Sequence, residues 1–210
     1  TLVHDVATLA VDARVDLDTL LTRLDESWAE LDFGGPWYSR HQREAARQML
    51  ERLRTWLADN PRTLVGCELD FEVPVGRVVL RGRVDRLERD AQGRLVVVDL
   101  KTGSTLPKAD DLPEHPQLGA YQVAVERGGF GDAGAVSGGA ELLYIKKRSK
   151  ADRQPALAES ADPAWAEQLV RRVADGMAAA TFAATENSFC RMCPVATSCP
   201  LHARGRQVTQ

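Results

Sequence analysis

Apolar residues in the first part of the chain recur at the spacing of a helix. Over residues 4–31 they return every three or four positions with some breaks, which predicts a helical segment. The Gly-Pro stretch at 32–36 predicts a loop, and a second apolar stripe predicts a helix over residues 39–58. Asn60 and Pro61 then end that helix.

The hydrophobic period changes to two after this point, which is typical of strands. Residues 64–75 and 78–84 alternate and predict two strands. The two flanks of residues 82–101 are rich in β-branched residues around a polar turn, so they predict a β-hairpin. Further along, the pattern predicts helices over 116–127 and 163–185 and a strand over 141–146. Strands interleaved with helices predict the α/β (α+β) class, with a mixed central sheet flanked by helices.

The strand at 95–101 ends in a group of charged residues. Its apolar run predicts a buried central strand, and Asp99 and Lys101 share one face while Val98 and Leu100 share the other. Asp85 lies on the partner strand and can be brought opposite this end. Two carboxylates and one lysine at a strand end suit a divalent metal ion and an activated water. This is the candidate active site.

An Asp-x-Lys sequence alone is weak support, because a solvated strand end often carries an ion pair. Lysine usage strengthens the functional interpretation. Only five of the 27 basic residues are lysines, and Lys101 is the first of them. A chain that uses arginine for nearly all its cations has placed an ammonium group beside two carboxylates, where Lys and Arg are not interchangeable.

Composition and charge narrow the class of protein. A length of 210 residues fits one domain, or one domain with appendages, and no apolar run is long enough to predict a membrane span. The net charge of −3 argues against a protein that binds nucleic acid through bulk positive charge. The chain opens without an initiator methionine, so we expect it to be a fragment of a longer protein.

Five short motifs follow one another along the chain. They are Thr1-Leu2-Val3-His4, Gly82-Arg83-Val84-Asp85-Arg86, Val98-Asp99-Leu100-Lys101-Thr102-Gly103, the helix motif from His115 to Tyr121, and Cys190-x2-Cys193-Pro194-x4-Cys199-Pro200. In this order they resemble the RecB-type branch of the PD-(D/E)XK nuclease superfamily over nearly the whole chain. The cysteine motif resembles the C-terminal iron–sulfur signature of helicase-nucleases of the AddB and AdnB kind.

The resemblance implies a restriction-endonuclease-like core over residues 1–185 and a cysteine segment with a tail over residues 186–210. It implies that Mg²⁺ or Mn²⁺ is held by four groups, namely His4, Asp85, Asp99 and the carbonyl of Leu100. It also assigns catalysis to Asp85, Asp99 and Lys101, with Lys101 orienting the attacking water and helping to deprotonate it.

Contacts to DNA are expected from two places. Gln117 and Tyr121 lie four apart on one helix face. By themselves they indicate packing, but the resemblance implies that they touch the DNA backbone. Lys146 and Lys147 begin the dense basic run of the chain, which is either a solvated loop or a phosphate contact. Glu68 and Glu72 are expected to be structural rather than metal ligands.

The cysteines favour a reducing compartment and a metal or cluster over disulfide bonds. A zinc ribbon would need a second close pair, which the sequence lacks. Cys190, Cys193 and Cys199 fit three corners of a 4Fe–4S cluster, and the resemblance places a fourth cysteine upstream of the histidine motif, outside this chain. Cys67 is the other candidate, and the alternation around it predicts a buried core thiol. We therefore expect this chain alone to bind the cluster poorly.

The resemblance implies a metal-dependent DNA exonuclease domain of a DNA-repair and recombination helicase-nuclease in the bacterial cytoplasm. Its partners would be DNA and helicase motor domains, with no membrane. Three alternatives remain: a catalytically silent nuclease-fold scaffold that binds DNA or a partner, a free-standing iron–sulfur nuclease, and an iron–sulfur or zinc protein with no nuclease role.

Overall fold

The structure, a computed structural model, describes residues 2–32, 34–180 and 183–202. Thr1 of the first motif, position 33 of the predicted loop, positions 181–182 of the predicted last helix and the tail from 203 lie outside the described residues. The helices are α1 (Leu2–Ala7), α2 (Leu17–Trp28), α3 (Pro36–Asp59), α4 (Pro116–Glu126) and α5 (Trp165–Ala178). The strands are β1 (Thr63–Val75), β2 (Val78–Arg89), β3 (Leu95–Leu100), β4 (Ser137–Leu143) and β5 (Ala151–Gln154).

The strands form one mixed sheet in the order β1-β2-β3-β4-β5. Neighbouring strands are antiparallel except β3 and β4, which are parallel. A parallel pair needs a crossover, and α4 lies in the connection between these two strands. All six residues of β3 are buried, as expected for a central strand covered on both faces. The predicted α/β class with a mixed sheet and flanking helices is confirmed.

The two faces of β3 contribute to different hydrophobic cores. Val98 and Leu100 pack with buried residues of α1, α2 and α3. Val97 packs on the opposite face with α4 and with Trp165 at the start of α5. Asp99 lies between Val98 and Leu100 in the sequence. Because side chains alternate along a strand, its side chain points to the opposite face, toward α4.

A group of charged and polar side chains is also buried, beside the C-terminal end of α3. Glu88 has no exposed surface, and Arg62 bridges it to Glu141 with distances of 2.7 and 2.8 Å. Arg86 contacts Glu88 at 2.5 Å, and the Asn60 amide donates to Glu88 at 2.8 Å. We call these five residues the buried network.

The predicted helix over residues 4–31 is wrong as one segment, because the chain forms α1 and α2 with a non-helical stretch between them. Asp16 ends this stretch, and its carboxylate accepts a hydrogen bond from the Asp18 amide, which caps the N-terminus of α2. The next helix begins three residues earlier than predicted, at Pro36, because proline is tolerated in the first helical turn.

The strands near the end of the sheet also differ from the prediction. β4 covers Ser137–Leu143 rather than residues 141–146, so it includes Gly138 and Gly139. Gly139 has a φ of 109°, and a Cβ there would lie 2.6 Å from the Gln154 carbonyl oxygen, so only glycine fits. β5 was missed, because its four residues are mostly polar. The last helix is Trp165–Ala178, shorter than the predicted 163–185.

The chain divides into two compact units, residues 1–171 and 172–210. The first unit contains the sheet. Within the second, the described residues include short 3₁₀ turns at Cys190–Met192 and Ala196–Ser198. The predicted boundary between 185 and 186 stays a prediction. None of the helices in the described ranges is both long enough and apolar enough to span a membrane.

Candidate active site

The end of β3 places a carboxylate and an ammonium group side by side. Asp99 is 3% exposed, and its Oδ2 lies 2.8 Å from Lys101 Nζ. Lys101 directly follows β3 and is more exposed than Asp99. The two side chains lie on the same side of the chain, as the alternation of side chains along a strand predicted. The Lys101 charge can therefore reach solvent while the Asp99 carboxylate stays buried.

Helix α4 supplies two further polar groups to the same place. Pro116 begins the first turn of α4. Gln117 and Tyr121 are four residues apart, so they lie one turn apart on the same face of the helix. The Gln117 amide donates to Asp99 Oδ1 at 2.8 Å, while its oxygen accepts from Lys101 Nζ at 2.8 Å. Tyr121 Oη donates to Asp99 Oδ1 at 3.0 Å. Gln117 thus fixes both charged residues of the Asp-x-Lys motif.

Asp99 is a buried acid whose charge faces one cation. Its Oδ2 lies 2.8 Å from the Lys101 ammonium, while its Oδ1 accepts from Gln117 and Tyr121. Burial raises the pKa of Asp99, and the Lys101 ammonium partly opposes this shift. Burial also raises the pKa of Tyr121, so its phenol stays protonated and can donate to Asp99.

The His4 side chain approaches the same strand end from α1. Its Nε2 lies 2.8 Å from the Leu100 carbonyl oxygen and 3.6 Å from Asp85 Oδ2. A carbonyl only accepts, so Nε2 carries a proton in this state. The Leu100 amide donates to Asp85 Oδ2 at 2.7 Å. The hydrogen bond with Asp85 raises the pKa of His4, while burial opposes that shift.

The structure therefore brings together the residues predicted for the metal and for catalysis, in two adjoining groups. His4 and Asp85 meet at the Leu100 backbone, while Asp99 is turned toward Lys101 and α4. We call the six side chains the strand-end cluster: His4, Asp85, Asp99, Lys101, Gln117 and Tyr121.

The donor set fits a divalent cation chemically, although its geometry is not that of a closed metal site. Within residues 2–32, 34–180 and 183–202, no three His, Cys, Asp or Glu side chains are grouped so that they could hold a metal ion. The carboxylate oxygens of Asp85 and Asp99 and the Leu100 carbonyl are the hard oxygen donors that suit Mg²⁺ or Mn²⁺. Ligation through His4 Nε2 would also require its proton to leave.

Sequence reasoning missed His115 as a neighbour of this cluster. Its Nδ1 is buried without a hydrogen-bond partner among the described residues. Burial, followed by the positive charge of Lys101, lowers the pKa of His115, so its imidazole is held neutral. The signal was present in the sequence, because His115 precedes Pro116 and so marks the N-terminal cap of α4.

Lys146 and Lys147 lie at the same end of the sheet as the strand-end cluster. Leu143 at the end of β4 pairs with Leu100, and its carbonyl accepts from the Lys101 amide at 2.8 Å. Both lysines are exposed and follow β4 in a turn. Arg52 on α3 donates to the Lys146 carbonyl at 3.2 Å and so holds this turn in place.

The cysteines remain thiols in the structure. Cys190, Cys193 and Cys199 are partly exposed, and no metal-binding group of cysteines is present in the described part of the chain. The prediction of a buried core thiol at Cys67 is wrong, because the residue is half-buried. Its partner in the β1–β2 register is the charged residue Arg86. Burial raises the pKa of the Cys67 thiol, and the Arg86 charge opposes this shift.

Comparison with known families gives one clear result. A family model described as the PD-(D/E)XK nuclease superfamily matches residues 1–200. The match covers every residue of the strand-end cluster. Among curated proteins, no sequence matches this chain significantly.

Proposed function

Because the chain belongs to the PD-(D/E)XK nuclease superfamily, we propose that it is a metal-dependent deoxyribonuclease domain whose active site is the strand-end cluster. The observation that carries this proposal is the Asp99–Lys101 pair at the end of β3, held by Gln117 and joined by Asp85. These are the charged groups needed for phosphodiester hydrolysis, placed at one strand end.

The metal ligands in this proposal are His4, Asp85, Asp99 and the Leu100 carbonyl. Bound Mg²⁺ or Mn²⁺ supplies polarisation of the scissile phosphodiester and lowers the pKa of a bound water. The carboxylates of Asp85 and Asp99 provide the hard oxygen donors that these cations prefer. Asp99 Oδ2 is paired with the Lys101 ammonium at 2.8 Å, so the lysine and the proposed ligand are adjacent.

Lys101 is the catalytic cation of the proposal. Gln117 holds its Nζ 2.8 Å from the amide oxygen, so the ammonium group is oriented before substrate arrives. A preoriented positive charge stabilises the negative charge that develops on the phosphate oxygens during attack. Lys101 Nζ also orients the attacking water and helps to deprotonate it. Tyr121 and Gln117 keep the Asp99 carboxylate in place, in addition to the DNA-backbone contacts predicted for them.

The substrate in this proposal is DNA, without a strong sequence preference. Lys146 and Lys147 are exposed at the active-site end of the sheet, where they would bind backbone phosphates. Phosphate contacts position a duplex or strand but carry no sequence information. The resemblance to AddB- and AdnB-type proteins supports an exonuclease domain that works with helicase motor domains in DNA repair in the bacterial cytoplasm.

The cysteine segment belongs to the same proposal. Cys190, Cys193 and Cys199 would provide three thiolates of a 4Fe–4S cluster, which needs a fourth ligand. Cys67 is a poor candidate for that ligand, because it is half-buried on β1 and burial raises the pKa of its thiol, which opposes the thiolate form that a cluster needs. In the AddB-like arrangement the fourth cysteine comes from a segment upstream of His4.

One observation favours a second candidate function. No three metal-ligating side chains of the described residues are grouped to hold an ion. A nuclease-fold scaffold that binds DNA without cutting it would need no such group. The complete set of His4, Asp85, Asp99 and Lys101 argues against this alternative, because a scaffold has no need to bring a lysine and two carboxylates to one strand end.

The experiment that separates these functions is a cleavage assay on plasmid and single-stranded DNA with Mn²⁺, with and without EDTA. We expect the wild-type chain to degrade DNA only without EDTA, and Asp99→Ala to be inactive. Asp70→Ala is the matched control, since Asp70 is an exposed strand carboxylate paired with Arg83. DNA binding without cleavage by the wild type would favour the scaffold, and full activity of Asp99→Ala would exclude the assigned site.

A further inference from the structure

Residues 2–11, which we call the His4 arm, need an anchor on the sheet. The arm contains α1, which is only six residues long. A helix this short is unstable by itself in water, so its position must come from tertiary contacts. His4 provides one contact, through Leu100 and Asp85. Val3, Val6, Ala7 and Ala10 also pack in the core with α2 and α3, and polar contacts then fix the position of the arm on the sheet.

Arg86 provides a second contact, at the end of the arm that follows α1. Its guanidinium donates to the Ala10 carbonyl at 2.6 Å and to the Val11 carbonyl at 2.8 Å. Ala10 has no exposed surface. Both carbonyls lie beyond the end of α1, and a buried carbonyl such as that of Ala10 is costly without a partner. Arg86 donates to both from one side chain.

The guanidinium of Arg86 is itself fixed by its surroundings. Arg86 is 3% exposed, and its Nε donates to Glu88 at 2.5 Å. The Trp56 ring lies 5.9 Å from the guanidinium carbon, a distance that suits a cation–π contact. Glu88 is held in turn by Asn60 and Arg62. The direct contacts of Arg86 with Glu88 and Trp56 therefore orient the donors that reach the His4 arm.

Asp85 and Arg86 are neighbours in β2, and together they hold both ends of the same arm. We infer that Arg86 is a positioning residue, which fixes the His4 arm so that the imidazole stays at the end of β3. This inference rests on the proposed metal-dependent function for its consequence, because an arm that moves would present His4 less often as a ligand. The anchoring itself is a property of the metal-free chain.

The test compares Arg86→Lys with Arg62→Lys in the 210-residue chain. Arg62 also contacts Glu88 and lies over Trp56 at 5.8 Å, but the contacts it makes are not to the His4 arm. Lysine keeps the charge and loses the paired donors in both variants. The Mn²⁺ dissociation constant, measured by calorimetry without DNA, should rise about tenfold or more in Arg86→Lys. It should stay near the wild-type value in Arg62→Lys.

A second measurement needs no metal. Amide hydrogen exchange over residues 2–11 should be faster in metal-free Arg86→Lys than in Arg62→Lys, because only the first variant loosens the arm. Should Arg86→Lys not fold, Arg86→Gln takes its place, since the amide keeps one donor without burying a charge. Equal exchange in the Arg86 and Arg62 variants would overturn the inference.

The double variant with His4→Ala decides whether Arg86 acts through His4. If it does, adding Arg86→Lys to His4→Ala should weaken Mn²⁺ binding no further. A further loss of similar size in that background would make Arg86 merely structural. If the wild-type chain binds no Mn²⁺, the proposed metal site fails, and the exchange comparison alone then supports or overturns the anchoring role of Arg86.

Discussion

The sheet carries two groups of buried charged side chains, and they differ in how completely the charges are paired. In the buried network, Glu88 accepts hydrogen bonds from Asn60, Arg62 and Arg86. In the strand-end cluster, Asp99 is almost as deeply buried, yet among the described residues it faces a single cation, the Lys101 ammonium at 2.8 Å. Glu88 thus lies between two guanidinium groups, whereas the one cation beside Asp99 is partly exposed to solvent.

This difference is the basis for proposing a structural role for one group and a functional role for the other. A buried charge that is fully paired fixes the local structure, and its loss leaves its partners unpaired. A buried carboxylate that faces one partly exposed cation can accept a second cation, and a bound metal ion would be one. In the proposed function, hydrolysis needs such a carboxylate beside the lysine at the end of β3.

The largest effect on activity is expected from a change at Asp99. We expect Asp99→Ala to lower kcat/KM for DNA hydrolysis by about 10³-fold, because it removes a charged group from the reaction centre. Steady-state cleavage of a fluorescent DNA substrate at fixed Mn²⁺ measures this effect. Activity within a few fold of the wild type would remove Asp99 from the reaction.

The matching change in the buried network is Glu88→Ala. It leaves Arg62 and Arg86 without their shared carboxylate, so we expect the free energy of unfolding to fall by about 3 kcal/mol. Urea unfolding followed by circular dichroism measures the loss. Glu72→Ala is the control, because Glu72 is an exposed partner of Arg81, and its change should lie within about 0.5 kcal/mol.

Lys101→Arg tests whether the proposed function needs the ammonium group itself or only a positive charge. Guanidinium keeps the positive charge but is planar and stays protonated, so it cannot reproduce the fit of the ammonium group between Asp99 and Gln117. We expect a fall in the single-turnover cleavage rate of about 10²-fold. If most of the rate survives, Lys101 is an ion-pair partner of Asp99 and not the catalytic cation.

The smallest change in activity is expected from Tyr121→Phe. The substitution removes one donor from Asp99 Oδ1, while the Gln117 amide keeps the other. One hydrogen bond contributes about 1 kcal/mol, which corresponds to roughly a fivefold lower rate. The same cleavage assay measures it. A loss as large as that of Asp99→Ala would assign Tyr121 a direct chemical role.

Much of β3 and its charged end was predictable from the sequence, because the signal is local. An apolar run that ends in Asp-x-Lys specifies both the burial of β3 and the face that Asp99 and Lys101 share. The same holds for Gln117 and Tyr121, since residues four apart on a helix must share a face.

The rest depended on contacts between residues far apart in the chain. Arg86 contacts the Ala10 carbonyl, which is 76 positions away in the sequence, and no hydrophobic periodicity predicts such a contact. β5 was missed for a related reason: residues Ala151–Gln154 become a strand by pairing with β4, although their composition is polar. The contacts that Asp99 makes with Gln117 and Tyr121 also emerge only when the positions of α4 and β3 are known.

The central claim is that the strand-end cluster is built for function and not for stability, and Asp99→Asn tests it most directly. Asparagine keeps the acceptor for Tyr121 and Gln117 but removes the buried charge. Urea unfolding in EDTA should therefore give an unfolding free energy equal to that of the wild type, or higher by about 1 kcal/mol. A fall of about 2 kcal/mol or more would show that Asp99 is as structural as Glu88 and would contradict the account.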